Sequence, residues 1–202
     1  MRALLIRHGK TKGNAEHRYI GRTDEPLSTE GRADAERVGA DLSRKLVYVS
    51  PLVRARQTAD ILFPNAEQCV LDGLRETDFG DLEGRTADEM VDDKAYREWV
   101  DGMCLGTCPN GESREDVTAR AVSAFCEAVS EARKNGAEEV VIVTHGGVIM
   151  SILEALGVPK HDYYEYQVKN LWGWMAECVI TGGRVELHDV QKVQCVTFSS
   201  ED

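Results

Sequence analysis

The 202-residue chain carries 35 acidic against 24 basic side chains, a formal net charge of −11 that makes nucleic acid and anionic membranes poor partners. Its hydrophobic fraction of 42% and charged fraction of 29% are those of a soluble globular protein with one substantial core. No apolar run approaches the roughly 20 residues of a membrane helix, and Arg7 and His8 interrupt the first apolar stretch too early for a secretory signal.

Residues 1–6 are too short and too continuously apolar for an amphipathic helix and predict a buried strand. Residues 10–26, polar with two glycines and a proline, predict a loop. Ser28 can cap a helix over 29–44, with Ala33, Val38 and Leu42 on its apolar stripe. Residues 46–50 predict a second strand, Pro51 opens a helix that reaches 63, and 68–71 predict a third strand. Residues 73–112 hold six of the eighteen glycines and many acidic groups, with short helices near 87–91 and 96–100; they predict a lid-like insertion over one end of the sheet. Ser113 caps a long helix to about 135, which Gly136 stops. A fourth strand over 140–144 and a helix over 148–156 follow. The tail alternates as strands from Trp172, with a hairpin marked by Gly182-Gly183 between 177–181 and 184–187. The expected fold is α/β: a three-layer α/β/α sandwich around a mostly parallel central sheet, one domain over 1–202. The strands at the C-terminal end fit a monomer or a homodimer.

Two of these strands run straight into histidine and glycine, as Arg7-His8-Gly9 and His145-Gly146-Gly147. Ligands of open α/β sheets bind beyond the carboxyl ends of the strands, so as parallel neighbours these two would bring His8 and His145 together there. Arg7 offers a planar fork for phosphate oxygens, and Thr11 and Asn14 offer neutral hydrogen bonds. Residues 1–22 hold six basic groups and one acidic group, a local positive patch that suits a small anion. Such a set fits an imidazole attacking phosphorus. The six cysteines lack tight pairs and read as reduced thiols of a cytoplasmic protein. Cys104 and Cys108 are the closest pair, without the further ligands a zinc site needs. Taken singly, Arg54 reads as a partner of Asp60, His145 as a core histidine and Glu76 as a solvated loop carboxylate. His17, His161, His188, Arg56, Arg75, Glu83 and Glu112 read as surface or packing groups, and Trp172 and Trp174 as sheet core.

The motifs in combination are more specific. Arg7-His8-Gly9-x-Thr11-x-x-Asn14 is followed by Arg18-Tyr19-Ile20-Gly21-Arg22-Thr23-Asp24-x-Pro26-Leu27-Ser28-x-x-Gly31, then Ser50-Pro51-Leu52-x-Arg54-Ala55-x-Gln57-Thr58-Ala59. Leu74-x-Glu76, Phe79-Gly80-x-Leu82-Glu83-Gly84, Pro109-x-Gly111-Glu112-Ser113 and Val143-Thr144-His145-Gly146-Gly147 complete the series. In this order the blocks resemble the histidine phosphatase superfamily, the phosphoglycerate mutase-like fold. The resemblance implies that His8 is the nucleophile that becomes phosphohistidine, and that Arg7, Arg54 and His145 complete the phosphate pocket. It makes Glu76 the general acid, and Asn14, Thr11, Gly21 and Gly146 lesser substrate contacts. A carboxyl beside a bound phosphate favours its protonated form, which suits that role. No cofactor and no metal are implied.

The Pro109 to Ser113 block is closest to compact phosphatases such as the α-ribazole phosphatases, from which Asn110 departs where a small residue is expected. The modest insertion favours hydrolysis of a small phosphate ester over mutase chemistry, which has to exclude water from the intermediate. Trp99, Met103, Cys104 and Leu105 are candidates for a leaving-group wall. The competing readings are a cofactor-dependent phosphoglycerate mutase, an inactive phospho-ligand binding protein and a metallohydrolase.

Overall fold

The computed structural model describes residues 1–195; the end of the expected domain, 196–202, lies outside them. The first strand, β1 (Arg2–Arg7), buries four consecutive residues because it is covered on both faces. Side chains alternate across a strand. Ala3 and Leu5 therefore join one core and Leu4 and Ile6 the other. A short helix, α1 (Lys12–Ala15), interrupts the expected loop: Thr11 caps it, and Thr11 and Asn14 exchange side-chain and backbone hydrogen bonds in a capping box. Helix α2 (Thr29–Val38) starts on Ser28 as expected but ends before 44, because Gly39 takes φ +88°. Leu42, assigned to its stripe, is 59% exposed.

Strand β2 (Leu46–Val49) leads to α3 (Val53–Leu62), which begins after Pro51 rather than on it, and then to β3 (Glu67–Val70). Residues 73–112 contain 3₁₀ turns and one helix, α4 (Lys94–Asp101), broader than the expected 96–100. Helix α5 (Arg114–Lys134) has the Ser113 cap, closed as a box with Asp116. Strand β4 (Glu139–Thr144) runs directly into α6 (Gly146–Leu156), and two-residue β5 (Gly157–Val158) follows. The hairpin β6 (Trp172–Thr181) and β7 (Arg184–Gln194) turns at Gly182 and Gly183, both at positive φ.

The strands form one seven-stranded sheet in the order β3-β2-β4-β1-β6-β7-β5. Among them β6 runs against its neighbours, and the other pairings are parallel. Helices α2 and α3 supply Ala35, Ala55, Ala59 and Leu62 to one core, and α5 and α6 supply Phe125, Ala128, Ile149 and Ile152 to the other. This is the expected α/β/α sandwich. No helix among the described residues is long and apolar enough to cross a membrane.

Candidate active site

Strands β1 and β4 are parallel neighbours with Arg7 opposite Thr144, so the residues that follow them come together. The His8 N–H donates to the Thr144 carbonyl at 2.9 Å, and the His8 and His145 rings stand edge-on with centroids 5.0 Å apart. Both histidines are buried. His8 Nδ1 lies 2.6 Å from the Gly9 carbonyl oxygen, which can only accept. Nδ1 therefore carries the proton and Nε2 the lone pair. Burial first, then the positive charges of Arg54 and Arg7, hold the His8 pKa well below the ordinary imidazole value. A neutral ring with a defined tautomer is the form that can attack an electrophile.

His145 Nε2 is 2.7 Å from the Ser50 hydroxyl, which accepts the Leu52 N–H at 3.3 Å. Its buried Nδ1 has no partner among the described residues. With the Ser50 proton directed at Nε2, Nδ1 would carry its hydrogen toward an anion; a serine hydroxyl can also accept, so this contact permits that tautomer and does not impose it. Burial, followed by Arg54, His8 and Arg7, also keeps His145 neutral.

Arg54 is 1% exposed and does not meet Asp60; its guanidinium donates to the carbonyls of Thr23 at 2.9 Å and Gly21 at 2.8 Å. Arg7 donates to the Val168 carbonyl at 2.7 Å, while its buried Nε has no partner among the described residues. Gly146 lies beside Arg7: an added Cβ would sit in ordinary van der Waals contact with it, 3.5 Å from Nε. Burial lowers the pKa of both arginines, partly offset by Glu76, yet a guanidinium stays charged. Glu76 accepts the Thr77 N–H at 2.9 Å and the Gly147 N–H at 3.2 Å, in the first turn of α6. That helix end turns backbone N–H groups and a positive dipole toward the site.

The expected minor contacts divide. Asn14 lines the main cleft and accepts Asn170 Nδ2 at 3.1 Å. Thr11 is buried, with its hydroxyl occupied by the cap of α1, and does not line the cleft. The Gly21 N–H donates to the Glu83 carboxylate at 3.1 Å. Glu83 also takes the Arg22 N–H and the Thr23 hydroxyl, and so shapes the loop whose carbonyls hold Arg54.

The cleft has a volume of about 790 Å³ and is lined by Arg7, Asn14, Glu76 and Gly146. A second cavity of about 310 Å³ shares Glu76 and Gly147 with it and is walled by Tyr19, Phe79, Trp99, Tyr163 and Tyr164. Of the expected apolar wall, Trp99 and Cys104 line this cavity, whereas Met103 and Leu105 are about 60% exposed. They are carried outward by the turn after α4, where Met103 and Cys104 take positive φ. Outside the motif series, Tyr163, Gln167 and Asn170 also line the two cavities. Asn110 occupies a left-handed position that asparagine tolerates and bonds Asp81. Among the described residues no cluster of three or more His, Cys, Asp or Glu side chains is placed to hold a metal ion.

Residues 3–189 match the family model for the histidine phosphatase superfamily (branch 1). The chain belongs to the histidine phosphatase superfamily. Within it, the chain is 32% identical to the probable phosphoglycerate mutase GpmB of Enterobacter sp. (strain 638), over 84% of this chain and 81% of that one. It is 32% identical to the uncharacterized phosphatase PhoE of Bacillus subtilis (strain 168), over 74% of each. Its fold matches the crystal structure of the α-ribazole phosphatase from Shigella flexneri with a TM-score of 0.79, 25% identity and full coverage of both chains. This superfamily member thus resembles both mutase-named and phosphatase-named proteins.

Proposed function

We propose that this chain is a metal-independent phosphomonoesterase that hydrolyses a small phosphate ester through a phosphohistidine on His8. The carrying observation is the bond from Nδ1 to the Gly9 carbonyl, which leaves Nε2 as a nucleophile beside two guanidinium groups. In the first step Nε2 attacks phosphorus in line. The P–O ester bond breaks, and the leaving oxygen takes the proton of Glu76. In the second step the Glu76 carboxylate accepts a proton from water as that water attacks phosphorus, which releases inorganic phosphate and restores His8. Arg7, Arg54, the Nδ1–H of His145 and the start of α6 meet the charge on the equatorial oxygens. Asn14 and Gly146 border the phosphate.

The aromatic cavity next to Glu76 supports a flat, aromatic leaving group, and α-ribazole 5′-phosphate is the ester we favour. The segment 73–112 supplies Phe79, Trp99 and Cys104 to that cavity and acts as its cover. The mutase reading draws on the GpmB-like relatives and on Arg114, a cation that lines this otherwise aromatic cavity and offers a partner to a carboxylate. A steady-state panel of α-ribazole 5′-phosphate, phosphoglycerates, sugar phosphates and nucleotides tests the assignment. We expect at least about a hundredfold preference in kcat/KM, near 3 kcal/mol, for the aromatic ribotide. We also expect full activity in strong chelator and acid-labile label on His8 by mass spectrometry. Isomerisation of 3-phosphoglycerate faster than phosphate release would establish the mutase instead. Phosphate binding without turnover of any ester would make the chain a phospho-ligand binding protein.

A further inference from the structure

We propose that Arg120 is a positioning residue that holds the proton donor in place, an inference that rests on reading Glu76 as the general acid. Arg120 projects from α5, and its guanidinium donates through all five of its N–H groups. Nε and Nη2 grip the two carboxylate oxygens of Glu112, each at 2.8 Å. Nη1 donates to the carbonyls of Gly73 at 3.0 Å and Arg75 at 2.6 Å, and Nη2 also donates to the Glu76 carbonyl at 3.1 Å. Glu112 extends the grip: its Oε2 accepts the Asp78 N–H at 2.9 Å, and its own N–H donates to the Asp78 carbonyl at 2.9 Å. The backbone is therefore tied on both sides of position 76.

The clamp holds carbonyls, not the reactive carboxylate. Glu76 stays in register without a guanidinium from this clamp in hydrogen-bond contact with the group that must give up and retake a proton. The carboxylate itself is held by lighter bonds, from the N–H groups of Thr77 and Gly147. Its position thus depends on the backbone beneath it, and a misplacement of about 1 Å in an active site can cost about a hundredfold in rate. Lysine cannot substitute, since a three-donor point charge cannot serve three carbonyls and a bidentate carboxylate at once.

Arg120→Gln and Arg120→Lys, compared with the native chain and Glu76→Gln, separate this role from simple support of the fold. The probes are p-nitrophenyl phosphate, whose leaving group needs no proton, and glycerol phosphate, whose alkoxide does. We expect both variants to lose at least about tenfold more kcat/KM on glycerol phosphate than on the aryl ester, as Glu76→Gln does. Amide hydrogen exchange should be faster at Thr77 and Gly147 in a variant that remains folded. Equal losses on the two esters, or none, would overturn the proposal. If Arg120→Gln does not fold, Arg120→Lys and Glu112→Gln carry the same comparison. If the native chain cleaves neither these two esters nor any ester of the panel above, the phosphatase reading fails by itself, and unchanged exchange at Thr77 and Gly147 in Arg120→Lys then removes the clamp as well.

Discussion

At the residue scale, the chemistry depends on which ring nitrogen carries which proton. His8 is set by the Gly9 carbonyl, and His145 is paired with the Ser50 hydroxyl. The motif made both histidines legible, but no sequence pattern identified Ser50 as the partner of His145, because the contact joins residues far apart in the chain. Ser50→Ala is expected to weaken inhibition by inorganic phosphate about tenfold, as measured by Ki, because His145 can then turn a bare nitrogen toward the anion. Unchanged inhibition would show that Ser50 is only a packing group. Glu76→Gln should lower kcat by about 10²–10⁴ and leave phosphate affinity nearly intact. Parallel losses in both would make Glu76 a binding group instead. Arg54 shows why single-residue reading fails: on a helix it could pair with Asp60, yet it lies buried against the Thr23 and Gly21 carbonyls.

At the scale of elements, glycines set how closely the pieces approach. A Cβ at Gly147 would lie 2.6 Å from Glu76 Oε1, so Gly147→Ala should displace the acid and lower turnover of alkyl esters more than that of aryl esters. Equal turnover would mean that the first turn of α6 yields freely. A Cβ at Gly173 would meet the Leu5 carbonyl at 2.3 Å, on the antiparallel seam between β1 and β6. Gly173→Ala is expected to cost about 1–3 kcal/mol in urea unfolding, and a neutral substitution would refute the close fit. Strand positions and helix caps were readable because they follow local rules: Ser28 and Ser113 cap as expected. The end of α2 was missed because Gly39, whose left-handed turn breaks the helix, is followed by residues that could have continued the stripe.

At the scale of the whole molecule, the site gathers like charge and neutral imidazoles inside the protein. The folded-state pKa of His8 and His145 lies below the unfolded value, so below about pH 6.5 the unfolded chain binds protons that the native chain refuses. Their contribution to stability is therefore full above that pH and lost as pH falls, by at most about 2 kcal/mol per histidine between pH 7.5 and pH 5. Urea unfolding of the native chain should show this loss and His145→Asn a smaller one; identical pH slopes would contradict it. Phosphate should raise Tm of the native chain by binding the folded state.

The sequence by itself determined the layer architecture and the two histidines at strand ends, because periodicity, caps and closely spaced motifs are local; the expectation that Arg54 and Glu76 join Arg7 in one site rests on the resemblance of the whole motif series. Tertiary structure alone decided the pairing of His145 with Ser50, the aromatic wall with Tyr163 and Tyr164, and the grip of Arg120 on the carbonyls of 73–76. Each of these joins residues tens of positions apart, and no local rule of spacing reaches that far.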